Sequence, residues 1–110
     1  MAAIELALGI GCQRGTSAAL LARGVDAALS EVAGVVRILA TIDRKRDEAG
    51  LLQLAQERGW TLAFHSAGEL GSGVAEPAAC KHGRLLMRKR VYREPNVSGS
   101  MTIAIAELER

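Results

Sequence analysis

The sequence predicts a three-layer αβα domain, built on a mostly parallel sheet of about five strands and closed by a C-terminal antiparallel hairpin. Three observations predict it. Apolar or β-branched runs at 4–10, 35–42 and 60–64 alternate with segments whose apolar residues recur at helical spacing. A turn carrying Gly9, Gly11 and Gly15 stands between the first run and the first helix, the usual grammar of a βα connection. The last two strand-like runs, 84–91 and 101–106, have only a turn-rich stretch between them and so read as a hairpin. The order β-α-β-α-β-α-β-β then calls for parallel strands joined by helical crossovers, with one antiparallel strand at the end. The 110 residues form a single domain, 1–110, too short for two mononucleotide-binding halves.

Taken in order, residues 4–10 are the first strand and 16–30 the first helix, with Leu21, Val25, Ala28 and Leu29 on its apolar face. The run 35–42 is the most continuous β-branched stretch in the chain and reads as a central strand. A second helix is expected to open at Asp47 and Glu48, where acids suit its dipole, and to stop at Gly59. Strand three covers 60–64. Ser66 caps a short helical turn through Leu70, and Pro77, tolerated in a first turn, starts another helix near Ala75. Cys80 reads as a small core residue of that helix. In the last strand Met101, Ile103 and Ile105 alternate with Thr102, Ala104 and Ala106.

Composition narrows the function classes. Apolar content is 49% but only Trp60, Phe64 and Tyr92 are aromatic, so the core is aliphatic. No apolar run approaches the ~20 residues of a membrane span, and Glu5 interrupts the start before any signal-peptide core. The expectation is a cytoplasmic protein that does not engage membranes. Residues 81–93 hold six Lys and Arg and no acid, and Arg44-Lys45-Arg46 forms a second basic cluster. Such patches attract polyanions, but three scattered aromatics supply no stacking platform for nucleic acid. A small polycarboxylate suits them better, and a solvated edge strand would explain residues 88–93 equally well. Cys12 and Cys80 match neither a disulfide framework nor a zinc pattern, and no cofactor or metal site is expected.

In a sheet of this kind ligands sit beyond the carboxyl ends of the strands. That rule gathers Gly11, Cys12, Arg14, Gly15, Thr16 and Ser17 from the first turn, Asp43, Lys45 and Glu48 from the second, and His65 and Glu76 from later ones. Backbone N–H groups at a helix start, with Arg14 beside them, make an anion cradle; a plain βα turn uses the same residues. A helix N-terminus and Arg14 would also lower the Cys12 pKa, though no His lies beside it in sequence to make a nucleophile.

The stretches Gly9-Ile-Gly-Cys-Gln-Arg-Gly-Thr-Ser17, Ala40-Thr-Ile-Asp-Arg-Lys-Arg-Asp-Glu-Ala-Gly-Leu-Leu52 and Gly73-Val-Ala-Glu-Pro-Ala-Ala79, with the ending Met101-Thr-Ile-Ala-Ile-Ala106, resemble the CobE / CbiG C-terminal domain family of cobalamin biosynthesis. The resemblance covers nearly the whole chain. It implies a role in corrin ring assembly: binding a precorrin-type tetrapyrrole as carrier, or as partner of another corrin-biosynthesis enzyme. The alternative it implies is a hydrolase that opens a precorrin ring lactone with release of acetaldehyde. The length fits the stand-alone CobE type. The connection 66–73 is shorter than in the family. Substrate-binding positions carried over are Gly11, Cys12, Arg14, Gly15, Thr16, Ser17, Asp43, Lys45, Glu48 and Glu76; Asp43, Glu76 and His65 are the catalytic candidates. Precorrins are fringed with carboxylates, which Arg14 and Lys45 are chemically suited to hold. A cap role for Asp43 and a first-turn dipole role for Glu76 are the alternatives.

Overall fold

The computed structural model describes residues 3–109. Strand β1 (Glu5–Cys12) leads into helix α1 (Ala18–Leu29), then β2 (Val35–Ile42), a 3₁₀ turn (Asp43–Lys45), α2 (Ala49–Arg58) and β3 (Thr61–His65). The short helices α3 (Ala67–Leu70) and α4 (Ala75–Cys80) follow, then β4 (Gly83–Tyr92) and β5 (Met101–Leu108). The sheet order is β3-β2-β1-β5-β4. β1 pairs parallel with β2, and β2 with β3, while β5 lies antiparallel to both β1 and β4.

The α/β architecture and the β4–β5 hairpin are as expected, but the sheet is mixed. Because β5 inserts between β1 and β4, half of the strand pairings are antiparallel. The centre of the sheet is β1; the β-branched β2 lies one place out, still paired on both sides.

Strand alternation assigns the two faces. Leu6, Leu8 and Ile10 of β1, Val36 and Leu39 of β2, and Met101, Ile103 and Ile105 of β5 pack with Leu20, Leu21, Val25, Leu51 and Leu54 of α1 and α2. The other face is lined with small residues. There Ala104 and Ala106 meet Ala75 and Ala79 of α4, while Ala40 and Ile42 meet Leu70 and Ala78. Both series of β5 are therefore buried, one against each helical layer. A Cβ on Gly9 would run into the Ala75 carbonyl and come within 2.7 Å of the Ala79 nitrogen, so this glycine lets α4 lie directly on β1. Buried Thr41 ties β2 to its neighbour by donating to the Ile10 carbonyl at 2.6 Å.

Helix starts follow local chemistry. Ser17 accepts from the Leu20 N–H, and Ser66 and Glu69 form a full capping box on α3. The second helix does not open on Asp47 and Glu48. A 3₁₀ turn intervenes, α2 begins at Ala49, and Glu48 holds the cap position with its side chain turned away to the β1–α1 loop. Cys80, expected in the core, is exposed, because Ala75, Ala78 and Ala79 take the inward positions of the six-residue α4. Among the described residues no helix is long and apolar enough to cross a membrane.

One exposed cluster joins α1 to the end of β4. Arg23 donates twice to Glu94, at 2.7 and 2.8 Å, and the Tyr92 hydroxyl donates to the same carboxylate at 2.6 Å. These bonds, the Arg23 one foremost, hold the Glu94 pKa at about 2, below its ordinary 4.5. A pKa depressed in the fold contributes stability above the unfolded value that disappears as pH falls through the folded one. The fall should therefore lie between pH 4.5 and 2, and Glu94→Gln should flatten that part of the urea-midpoint profile. An unchanged acid slope in the variant would show that the cluster contributes nothing.

Candidate functional site

A cleft of about 530 Å³ opens where β1 ends and β5 begins. Gly11 and Cys12 of β1 and Met101 and Thr102 of β5 lie at its base, Cys12 opposite Met101 in the ladder. Residues 72–77, the entry to α4, make one wall, Lys89 and Val91 of β4 another, and Gln13 and Ser100 complete the lining. The location has a topological cause. From β1 the chain builds β2 and β3 to one side, then crosses over α4 to build β4 and β5 on the other. The crevice at such a switch is where open α/β sheets take ligands.

Of the candidates for catalysis, Asp43, Glu76 and His65, only Glu76 lines this cleft. It lies in the first turn of α4 and accepts the Lys89 backbone N–H at 2.7 Å, tying α4 to β4 across the opening. Asp43 lies in the 3₁₀ turn and accepts from Arg46 at 3.2 Å. Arg46 in turn rests over the Phe64 ring, 4.6 Å from its centroid. His65 ends β3 beside His82, with its Nδ1 3.6 Å from Glu69.

The β1–α1 loop forms a cradle, and the protein's own carboxylate occupies it. Gly15, at φ +84°, donates its N–H to Glu48 Oε2 at 2.8 Å. Lys45 Nζ and Arg14 Nη1 stand 3.6 and 3.8 Å from Glu48 Oε1. That buried oxygen has no hydrogen-bond partner, so its attraction to the two cations is Coulombic without a formed bond. Arg14 also donates to the Arg44 carbonyl at 3.3 Å and lies 3.5 Å from Asp47, with 62% of its side chain exposed. Thr16 is buried and donates to the Gln13 carbonyl at 2.8 Å, while Ser17 serves as helix cap. The structure thus brings Gly11, Cys12 and Glu76 into the cleft and assembles Arg14, Gly15, Lys45 and Glu48 into the adjoining cradle.

Cys12 departs from expectation. Its thiol pKa is raised, chiefly by burial; Lys45 and Arg14 pull it down, but Glu48 beside them pushes it up. The thiol form therefore prevails at neutral pH, contrary to an activated thiolate. Gln13, Val74, Lys89, Val91, Ser100 and Thr102 also line the cleft; Gln13, Val74 and Thr102 lie in the stretches that carry the family resemblance but are not among the site positions, and Lys89, Val91 and Ser100 lie in none of them. Lys89 is visible in the sequence only as part of a basic run, and Thr102 as one member of the alternating β5 series and of the family-like ending.

Known proteins resemble this chain in sequence and fold. The family model described as cobalamin synthesis G C-terminus matches residues 6–73. Cobalt-precorrin-5A hydrolase of Priestia megaterium is 35% identical over 121 aligned positions, covering 92% of this chain. The chain spans about a third of that relative's length, 32%. The crystal structure of CobE, a protein from the cobalamin (vitamin B12) biosynthetic pathway, superposes with a TM-score of 0.77 at 31% identity, covering 96% of this chain and 94% of that one. Cobalamin biosynthesis protein chiG from Agrobacterium tumefaciens str. C58 superposes with a TM-score of 0.75 at 26% identity, covering 96% and 99% respectively.

Proposed function

The chain belongs to the cobalamin synthesis G C-terminus family, and on that premise we propose that it binds a precorrin-type tetrapyrrole in the cleft at the β1–β5 junction, as carrier or partner of a corrin-biosynthesis enzyme. The observation that carries this reading is the cleft itself, formed at the topological switch by residues of β1, β4, β5 and the entry to α4. Its volume of about 530 Å³ falls within the range of small-molecule pockets, ~300–1,000 Å³. Val74, Pro77 and Val91 offer apolar surface to the flat ring, and Lys89, Gln13, Ser100 and Thr102 offer polar groups to its carboxylate fringe. Arg14, one residue beyond the lining, adds an exposed guanidinium.

Titration of the protein with a precorrin-type tetrapyrrole, followed by visible absorption, tests this. Binding should weaken as salt rises, because exposed charge pairs are screened. Lys89→Ala or Arg14→Ala should each lose roughly 1–3 kcal/mol, the scale of a hydrogen bond to a charged group. Arg90, paired with Glu31 at 2.6 Å, and Arg93 should matter much less. Equal losses at all four positions would indicate diffuse electrostatics without a formed site, and no loss at Lys89 or Arg14 would place the ligand elsewhere.

The likeness to a cobalt-precorrin-5A hydrolase supports a second reading, lactone opening with release of acetaldehyde. Glu76 is then the general base, being the acidic residue in the cleft lining. Acetaldehyde formed from a cobalt-precorrin by the wild type and lost in Glu76→Gln would select this reading over binding alone.

A further inference from the structure

The chain has two histidines, and the fold brings both together. His65 ends β3 and His82 follows the C-terminal end of α4, 17 positions later, yet their Nε2 atoms stand 2.9 Å apart. The rings are tilted by 55° with centroids 5.0 Å apart. On the far side of His65, its Nδ1 is 3.6 Å from Glu69 Oε2. Glu69 is itself held by the Ser66 capping box, which fixes where its carboxylate points.

The Nε2–Nε2 contact is a hydrogen bond whose donor depends on the tautomer; with the proton of His65 on Nδ1, toward Glu69, its Nε2 lone pair faces His82. The same arrangement orients metal-bound histidines, whose second nitrogen is held by a carboxylate. Metal–imidazole bonds run ~2.0–2.1 Å. A cation at that distance from both nitrogens would see the 2.9 Å separation under an angle of roughly 90°, that of adjacent ligands in octahedral or square-planar coordination. Imidazole pairs select late first-row divalent cations over the oxygen-seeking magnesium and calcium.

From this geometry we infer that His65 and His82 form an exchangeable site for a late first-row divalent cation, with Glu69 as the positioning residue behind His65. Among the described residues no third His, Cys, Asp or Glu converges on the pair, so water fills the remaining coordination positions. Such a cation clamps β3 and α3 to the end of α4. The site lies outside the tetrapyrrole cleft and does not depend on that reading. Sequence spacing conceals the pair because neither histidine has a ligand-type neighbour at motif distance.

The test uses untagged protein and nickel chloride or zinc chloride alone, read by calorimetry at pH 7.5. One nickel or zinc ion per chain is expected, with no heat from magnesium chloride. His65→Ala and His82→Ala should each abolish binding, and Glu69→Gln should weaken it about tenfold, the scale of a lost outer partner. Cys80→Ser, an exposed neighbour, should leave it intact. Zinc added to the wild type should also shift the ring-nitrogen resonances of both histidines, a readout that requires no variant to fold. Binding that survives His82→Ala, that is lost with Cys80→Ser, or that leaves both sets of ring nitrogens unmoved would overturn the inference, as would the absence of binding at millimolar nickel.

Discussion

Gly9→Ala should destabilise the domain by about 3 kcal/mol or more, at the upper end of the overpacking range, and in urea it should unfold far earlier than the parent. The added methyl meets the Ala75 carbonyl, Ala75 C at 2.9 Å and the Ala79 nitrogen at 2.7 Å, all of them backbone. No flexible side chain can swing aside, so α4 as a whole has to lift from β1. Its contacts include alanine on alanine, from Ala75 and Ala79 to Ala104 and Ala106, and Ala78 against Ala40, Ile42 and Leu70, and these lose van der Waals contact steeply with any gap. Gly15→Ala is the useful contrast. Gly15 sits at φ +84° with open space where the methyl would go, so its cost is confined to backbone strain of about 1–2 kcal/mol. Equal effects at the two positions, or a Gly9→Ala midpoint within error of the parent, would refute the close-packing account. Since the entry to α4 is also a wall of the cleft, the proposed tetrapyrrole binding should be weaker in any folded Gly9→Ala protein.

The same glycine shows where sequence reading reaches and where it stops. The strand–glycine–helix turn is legible, as are the β-branched run Val35–Ile42, the Ser66 cap and the start of α4, because each is decided by neighbours in sequence. The purpose of Gly9 is not, since the backbone it accommodates belongs to residues 75–79. The place of β5 is hidden likewise. Its two alternating series, Met101/Ile103/Ile105 and Thr102/Ala104/Ala106, fit any strand covered on both sides, and only its long-range pairing with β1, from Leu6–Glu107 to Cys12–Met101, puts it there. Cys80 is misplaced by sequence reading because six residues of helix are too few for periodicity to fix the inward face. In the candidate site, Gly11, Cys12 and Glu76 follow from the strand-end rule, whereas Lys89 and Thr102 come from strands whose order in the sheet is a tertiary fact. His65 stands out in the sequence but its partner does not, for the same reason.

Glu48→Ala should be the costliest of the polar substitutions, with an expected loss of about 3–5 kcal/mol, the scale of breaking a buried ion pair from one side. Its side chain is 4% exposed and reaches back 33 positions to accept the Gly15 N–H. Acids at a helix start are commonly written off to the helix dipole, and Glu48 is at the cap position of α2, yet its side chain caps nothing there. It closes the β1–α1 loop instead. Removing it strands the Gly15 N–H and leaves Lys45, 13% exposed, without its carboxylate. Glu48→Gln keeps an acceptor for Gly15 while losing the charge beside Lys45 and Arg14, so its loss should be smaller, about 1–3 kcal/mol. The truncated variant carries a sharper test. An emptied cradle of one N–H and two cations should take up a small carboxylate, so acetate should raise the melting temperature of Glu48→Ala. The parent, whose cradle holds Glu48, should respond to acetate no more than to chloride at equal ionic strength. A Glu48→Ala protein as stable as the parent would show that the loop does not need its carboxylate. Identical acetate responses in the two proteins would show that the loop is no anion cradle, with Arg14 and Lys45 reduced to surface and packing roles.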